Sequence, residues 1–174
     1  MHTEAALPPI DAIVFTPQAK AWLNKHGIMP SKWNLVREET DRILSANLAL
    51  TIFNTPACTI PLVDIHLKIP NLQNVIQIDS SCIEGSFWKE PFSKEEVIAM
   101  LLHEIGHVVN PAPISDCYNE EGWADDYARH CGYHDHLLTA LQKLLGVETS
   151  QQWRAQTQSR IDRIARGGKV NTRW

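Results

Sequence analysis

The amino-acid sequence reads as an α+β protein, with a short antiparallel sheet packed on one long helix and further helices C-terminal to it. Three observations carry that reading. Residues 63–69 and 75–79 alternate apolar and polar side chains, the period of a half-buried strand. Residues 93–109 form a largely apolar segment behind a helix-capping signal. The rest of the chain falls into helical stretches punctuated by glycine.

The elements follow in order. Residues 1–15 read as an irregular arm containing Pro8 and Pro9. Thr16-Pro17 looks like an N-cap with proline at the first helical position, opening a short helix over about 17–26 that ends at Gly27. Ser31 caps an expected longer helix, with Trp33, Val36, Ile43, Leu44, Leu48 and Ile52 near one face, stopped by Asn54-Thr55-Pro56. The two alternating runs, joined by the turn Pro70–Gln73, predict an antiparallel hairpin over about 62–79. Residues 80–92 are expected as loop.

Ser93-Lys94-Glu95-Glu96 fits a capping box, so the long helix should start there and close at Asn110-Pro111. Further helices are expected at about 116–131, 135–145 and 150–166, stopped by Gly132, Gly146 and Gly167-Gly168. The whole is expected to be one domain, with a core at about 60–145 between an N-terminal helical arm (1–58) and a C-terminal basic helix (147–174).

Composition narrows the function classes. The 174 residues are 44% hydrophobic and 21% charged, a globular balance that excludes a long disordered chain. The net charge of −4 argues against a general nucleic-acid binder. The uncharged stretch 43–63 is broken by Asn47, Asn54, Pro56 and Pro61, so it makes a poor bilayer helix. Glu4, Pro8, Pro9 and Asp11 disrupt any signal-peptide order. A soluble, cytoplasmic protein without a membrane partner is the expectation. Cys58, Cys82, Cys117 and Cys131 form no C-x-x-C pair and read as free thiols.

The chemistry is concentrated in His103-Glu104-Ile105-Gly106-His107. Histidines four apart on a helix share a face and reach one zinc ion. Glu104 lies beside that face, where a carboxylate meets a water acidified by the metal and takes its proton. Polar groups in so apolar a helix are costly to bury without a purpose. The expected cofactor is therefore one zinc ion.

A third ligand is required. Pro113 stands where an extended three-histidine motif would place its last histidine. Cys82 lacks a matching sequence around it. Glu121, fourteen residues after His107, is the better candidate, with Glu120 as the alternative if the helix phase differs. Asp125, one turn beyond Glu121, is placed to accept a ligand histidine's free ring N–H.

With these residues the chain resembles the gluzincin metallopeptidases, whose pattern is H-E-x-x-H followed by E-x-x-x-D on a second helix. The segment Glu121–Ala128, with Gly132-Tyr133 and Leu138–Leu144, is similar to the soluble core of the CAAX-prenyl-protease and heat-shock membrane protease group. Residues 75–109 are equally similar to ImmA/IrrE-type peptidases. The resemblance covers about 60–145 and implies a small zincin-like domain that hydrolyses peptide bonds of a peptide or protein substrate. It implies His103, His107 and Glu121 as ligands, Glu104 as general base and Asp125 as their support. It also implies that the strand before the active-site helix (Val75, Ile76, Gln77, Ile78) is an edge for an extended substrate. An oxyanion stabiliser is expected among Tyr118, Tyr127, Tyr133, His134 and His136. The membrane relatives' transmembrane helices are missing here, so their lipid-modified substrates do not transfer.

Two other functions remain open at this stage: a non-catalytic metal-stabilised regulatory module, and a zinc hydrolase of a non-peptide substrate. His134-Asp135-His136 reads as a helix start rather than a second metal site. The last twenty-four residues carry six basic side chains (Arg154, Arg160, Arg163, Arg166, Lys169, Arg173) against Asp162 alone. They read as a solvated helix face, with Trp153, Thr157, Ile161 and Ile164 as its packed side.

Overall fold

The computed structural model describes residues 14–15, 17–28, 48–53, 63–64, 74–79, 90–109 and 117–170. Its elements, in chain order, are β1 (Val14–Phe15), α1 (Pro17–Lys25), β2 (Leu48–Phe53), β3 (Val63–Asp64), β4 (Asn74–Asp79), α2 (Lys94–Val109), α3 (Cys117–His130), α4 (His134–Val147) and α5 (Gln151–Ala165).

The expected fold class is corrected. Where side chains are described, the chain is 77% helix and contains no strand. The short strands elsewhere line up β1-β2-β4-β3, and the antiparallel sheet is not formed. β2 pairs parallel to both β1 and β4, with Leu48 opposite Asn74 and Phe53 opposite Asp79. Only β3 runs antiparallel to β4, with Val63 opposite Ile78 and Asp64 opposite Gln77. Alternation along a strand reports which face is buried but carries no information about the direction of its partner.

β2 also occupies residues expected at the end of the helix beginning at Ser31. Leu48-Ala-Leu-Thr-Ile-Phe ends in β-branched and aromatic side chains, which suit a pleated surface better than a helix. The remainder of that helix, the turn at 70–73, Cys58, Cys82 and the Asn110-Pro111 stop lie outside the described residues.

The helices position the site. The capping box at the start of α2 forms as read. The Glu96 N–H donates to Ser93 Oγ at 3.2 Å, and the Ser93 N–H donates to Glu96 Oε2 at 2.9 Å. Lys143 on α4 donates to the same Glu96 oxygen at 2.7 Å and to the Pro91 carbonyl at 2.9 Å, tying α4 to the start of α2. Val97, Ile98, Leu101, Leu102 and Ile105 of α2 are buried against Tyr127 and Ala128 of α3 and Leu137 and Leu141 of α4. Trp22 and Leu23 from α1 and Ile28 just after it join this core, as do Ile161 and Ile164 from α5.

α3 stops where the sequence indicates. Gly132 takes φ +86°, a left-handed conformation that other residues rarely adopt, and the Tyr133 N–H returns to the Ala128 carbonyl at 3.1 Å. Gly146 does not stop α4, which continues to Val147. Among the described residues, no helix is long and apolar enough to cross a membrane.

Candidate metal centre

α2 and α3 cross at Gly106. A Cβ on that glycine would lie 2.7 Å from Ala124 Cα and 2.9 Å from Tyr127 Cβ, distances no real Cβ tolerates. The missing side chain lets the helix backbones touch. This closeness brings Glu121, about one turn before Ala124, and Asp125, the residue after it, up to the histidines of α2.

Three side chains then converge. His103 Nε2 lies 3.2 Å from His107 Nε2 and 3.3 Å from Glu121 Oε2. His107 Nε2 lies 3.4 Å from Glu121 Oε1. A tetrahedral zinc site with bonds of about 2.0–2.1 Å separates its ligand atoms by roughly 1.6 bond lengths, or about 3.3 Å. The two histidine nitrogens are separated by that distance, and each has one Glu121 oxygen at the same spacing, Oε2 for His103 and Oε1 for His107, so the donor set can hold one zinc ion. Among the described residues it is the cluster of histidine, cysteine and acidic side chains able to hold a metal. Glu121 fills the third position, and Glu120 is not part of the cluster. His134-Asp135-His136 forms no such group among the described residues.

The surroundings orient this triangle. His103 Nδ1 is 2.9 Å from Asp125 Oδ1, so Nδ1 is the nitrogen placed to donate to that carboxylate and Nε2 is the one turned into the cluster. His103 is pushed up to about pKa 9. Burial pulls it down and Arg160 adds to that, but hydrogen bonds to Asp125 and Glu121 outweigh both. Burial alone would raise Glu121, yet the two histidines hold it far below the usual carboxylate range. Asp125, also buried, is lowered to about 2, chiefly by Arg160 and then by His103.

Glu104 is buried, with Oε1 3.9 Å from His103 Nε2. It stands beside the triangle without belonging to it, the relation a proton-transfer group needs to a metal site.

Arg160 is the residue that sequence reasoning missed. It arrives from α5, thirty-five positions after Asp125. Its Nε donates to Asp125 Oδ2 at 2.9 Å and its Nη2 to Asp125 Oδ1 at 2.6 Å. Its Nη1 donates to Glu121 Oε2 at 2.8 Å. Burial works against the guanidinium's charge, but Asp125 and Glu121 raise its pKa further. Three positions on, Arg163 grips both Asp126 oxygens at 2.7 Å, and Arg129 meets Oδ1 of the same carboxylate at 3.0 Å. Part of the C-terminal basic run is therefore turned inward, while Trp153, expected on the packed side, is 54% exposed. The only sequence signal was the i, i+3 spacing of Arg160 and Arg163 behind a helix rich in acid.

Among the expected substrate-binding residues with described side chains, Tyr133, His134 and His136 have contacts other than the triangle. β4 is an interior strand, bonded along its length to β2 and, at Gln77 and Ile78, to β3 as well. Among the described residues, Gln77 and Ile78 of β4 have neighbours on both sides, whereas Val75 and Ile76 are paired with β2 alone. Tyr133 packs on the core, and its hydroxyl pKa is raised by burial and by the carboxylate of Glu95. Glu95 lies eight residues before His103, about 12 Å along α2. His134 accepts a hydrogen bond from Arg129 Nε at 3.3 Å, and His136 sits against Tyr133 with ring centroids 5.8 Å apart. Tyr127 is buried in the core, and the side chain of Tyr118 lies outside the described residues.

No protein family, no curated protein and no solved structure matches the chain.

Proposed function

We propose that the protein is a zinc-dependent hydrolase of peptide bonds, with a gluzincin-like order of ligands. The observation that carries this is the triangle of His103, His107 and Glu121 at 3.2–3.4 Å, with Glu104 beside it and outside it. A purely structural zinc is closed by four protein ligands and has no use for a neighbouring buried base.

In this reading His103, His107 and Glu121 hold one zinc ion. When bound, the ion acidifies a water molecule and polarises a carbonyl. Glu104 takes the proton of the attacking water and returns it to the leaving nitrogen. Asp125 keeps His103 in the tautomer whose Nε2 faces the site, and Arg160 keeps Asp125 in place.

The test is digestion of an unbiased peptide library by the zinc-loaded protein, with and without a chelator. Chelator-sensitive cleavage that disappears in E104Q supports the reading. Zinc uptake without cleavage of any peptide would leave a metal-stabilised module or a non-peptide hydrolase.

A further inference from the structure

We propose that Arg160 decides how Glu121 meets the metal: by holding Oε2, it leaves Oε1 as the oxygen offered to the ion. This inference rests on the zinc reading above and extends it to a residue on the C-terminal helix. The guanidinium is a positioning residue, acting on the site through two carboxylates.

The geometry gives the reason. A carboxylate can bind a metal through one oxygen or both. Both Glu121 oxygens face the histidines, Oε2 at 3.3 Å from His103 Nε2 and Oε1 at 3.4 Å from His107 Nε2, but it is Oε2 that also accepts from Arg160 Nη1 at 2.8 Å. The remaining donors of the same guanidinium clamp both oxygens of Asp125. A planar fork gripping one carboxylate in this way cannot swing aside to release the other without breaking two further bonds. Glu121 is thus kept as a one-oxygen ligand, which leaves a coordination position for water and substrate, as catalytic zinc requires.

Two opposing effects follow for the ion. Arg160 offsets the charges of Glu121 and Asp125 and so keeps the ligands assembled when metal is withdrawn. It also sets a positive charge near the dication and withholds one oxygen from it, both of which weaken binding. The arginine therefore trades metal affinity for an open position and a preassembled site. A merely structural salt bridge would do the opposite, because its loss would loosen the ligands and weaken metal binding.

The experiment compares wild type, R160Q, R160K and R163Q, each stripped of metal, melted, and titrated with zinc and with cobalt(II). R160Q is expected to melt lower when stripped, yet to bind zinc roughly tenfold more tightly, a change on the scale that contacts behind the ligands produce. Its cobalt spectrum should move from the intense absorption of four-coordination to the weaker absorption of a higher coordination number. R160K, which keeps the charge without the fork, should recover part of the stability and little of the spectrum. R163Q should also melt lower, because it removes one of the two arginines that hold Asp126, but should match wild type in zinc affinity and spectrum.

Weaker zinc binding by R160Q, or a cobalt spectrum identical to wild type in both R160Q and R160K, would overturn the proposal. Should wild type take up neither ion, the zinc reading itself falls and the oxygen assignment with it. The stripped melting temperature of R160Q would still report whether Arg160 holds the carboxylates together.

Discussion

Gly106 and Ala124 meet backbone to backbone where α2 crosses α3, with only 2.7 Å between Ala124 Cα and the place a Cβ on Gly106 would occupy. The glycine inside the histidine pentad is thus a packing residue, and the metal triangle depends on it.

G106A tests that dependence. Alanine in a helix is favoured over glycine by up to about 1 kcal/mol. Forcing a methyl into backbone costs about 1–3 kcal/mol, occasionally more, and here nothing flexible can yield. The expected outcome is a lower melting temperature together with loss of zinc uptake, since α3 must move away carrying Glu121. A stable G106A protein with unchanged zinc affinity would contradict the contact.

E104Q separates chemistry from binding. Glutamine keeps the shape of Glu104 but cannot take a proton, so zinc content should match wild type while the peptide cleavage rate falls about 10²–10⁴-fold. H103A, by contrast, should lose the metal. Elemental analysis alongside a cleavage assay distinguishes the two, and full activity in E104Q would sink the proposed mechanism.

D125N removes the carboxylate that both Arg160 and His103 use. Zinc affinity is expected to fall about 10–100-fold, because the tautomer of His103 is no longer fixed. Stability should drop as well, by about 3 kcal/mol, since Arg160 loses the carboxylate that takes two of its hydrogen bonds while it is still largely buried. Chemical denaturation of D125N and wild type in parallel measures the second effect, and a zinc titration measures the first.

The pH dependence follows from His103, whose pKa rises from 6.5 to about 9 on folding. A group raised in this way stabilises the fold fully below its unfolded pKa and loses that contribution as pH climbs through the folded one. The metal-stripped protein should therefore lose stability between about pH 6.5 and pH 9. Zinc must displace the same proton, so zinc affinity should increase over that window and proton release on binding should vanish above it. Calorimetric titrations in buffers of different ionisation enthalpy count the protons, and constant release at every pH would refute the assignment.

Much of the site was readable before the fold was known. His103, His107, Glu121 and Asp125 sit four residues apart in pairs, and helical periodicity alone places each pair on one face. That the two faces meet depends on Gly106, whose packing role is invisible beside its more conspicuous neighbours. Arg160 was hidden for a different reason. Its partners are remote in sequence, and a basic residue on a C-terminal helix looks like solvated charge until a buried acid is found opposite it. The local strand pairing was legible, since β3 runs antiparallel to β4 as a hairpin over 62–79 would, but β2 was not. Leu48–Phe53 carried apolar spacing that also suits a helix, and its parallel pairing with Asn74–Asp79 is a long-range event that no local pattern records.

The grip of α5 on α3 has a mechanical side. Arg160 and Arg163 are three residues apart on one helix, and their targets, Asp125 and Asp126, are consecutive on the other. Two teeth of unequal pitch engage in one setting only, so α5 cannot ratchet along α3 by a turn and find equivalent partners, as sliding helices in some switching proteins do. The helix is either seated or detached, and if it leaves, both clamps open together.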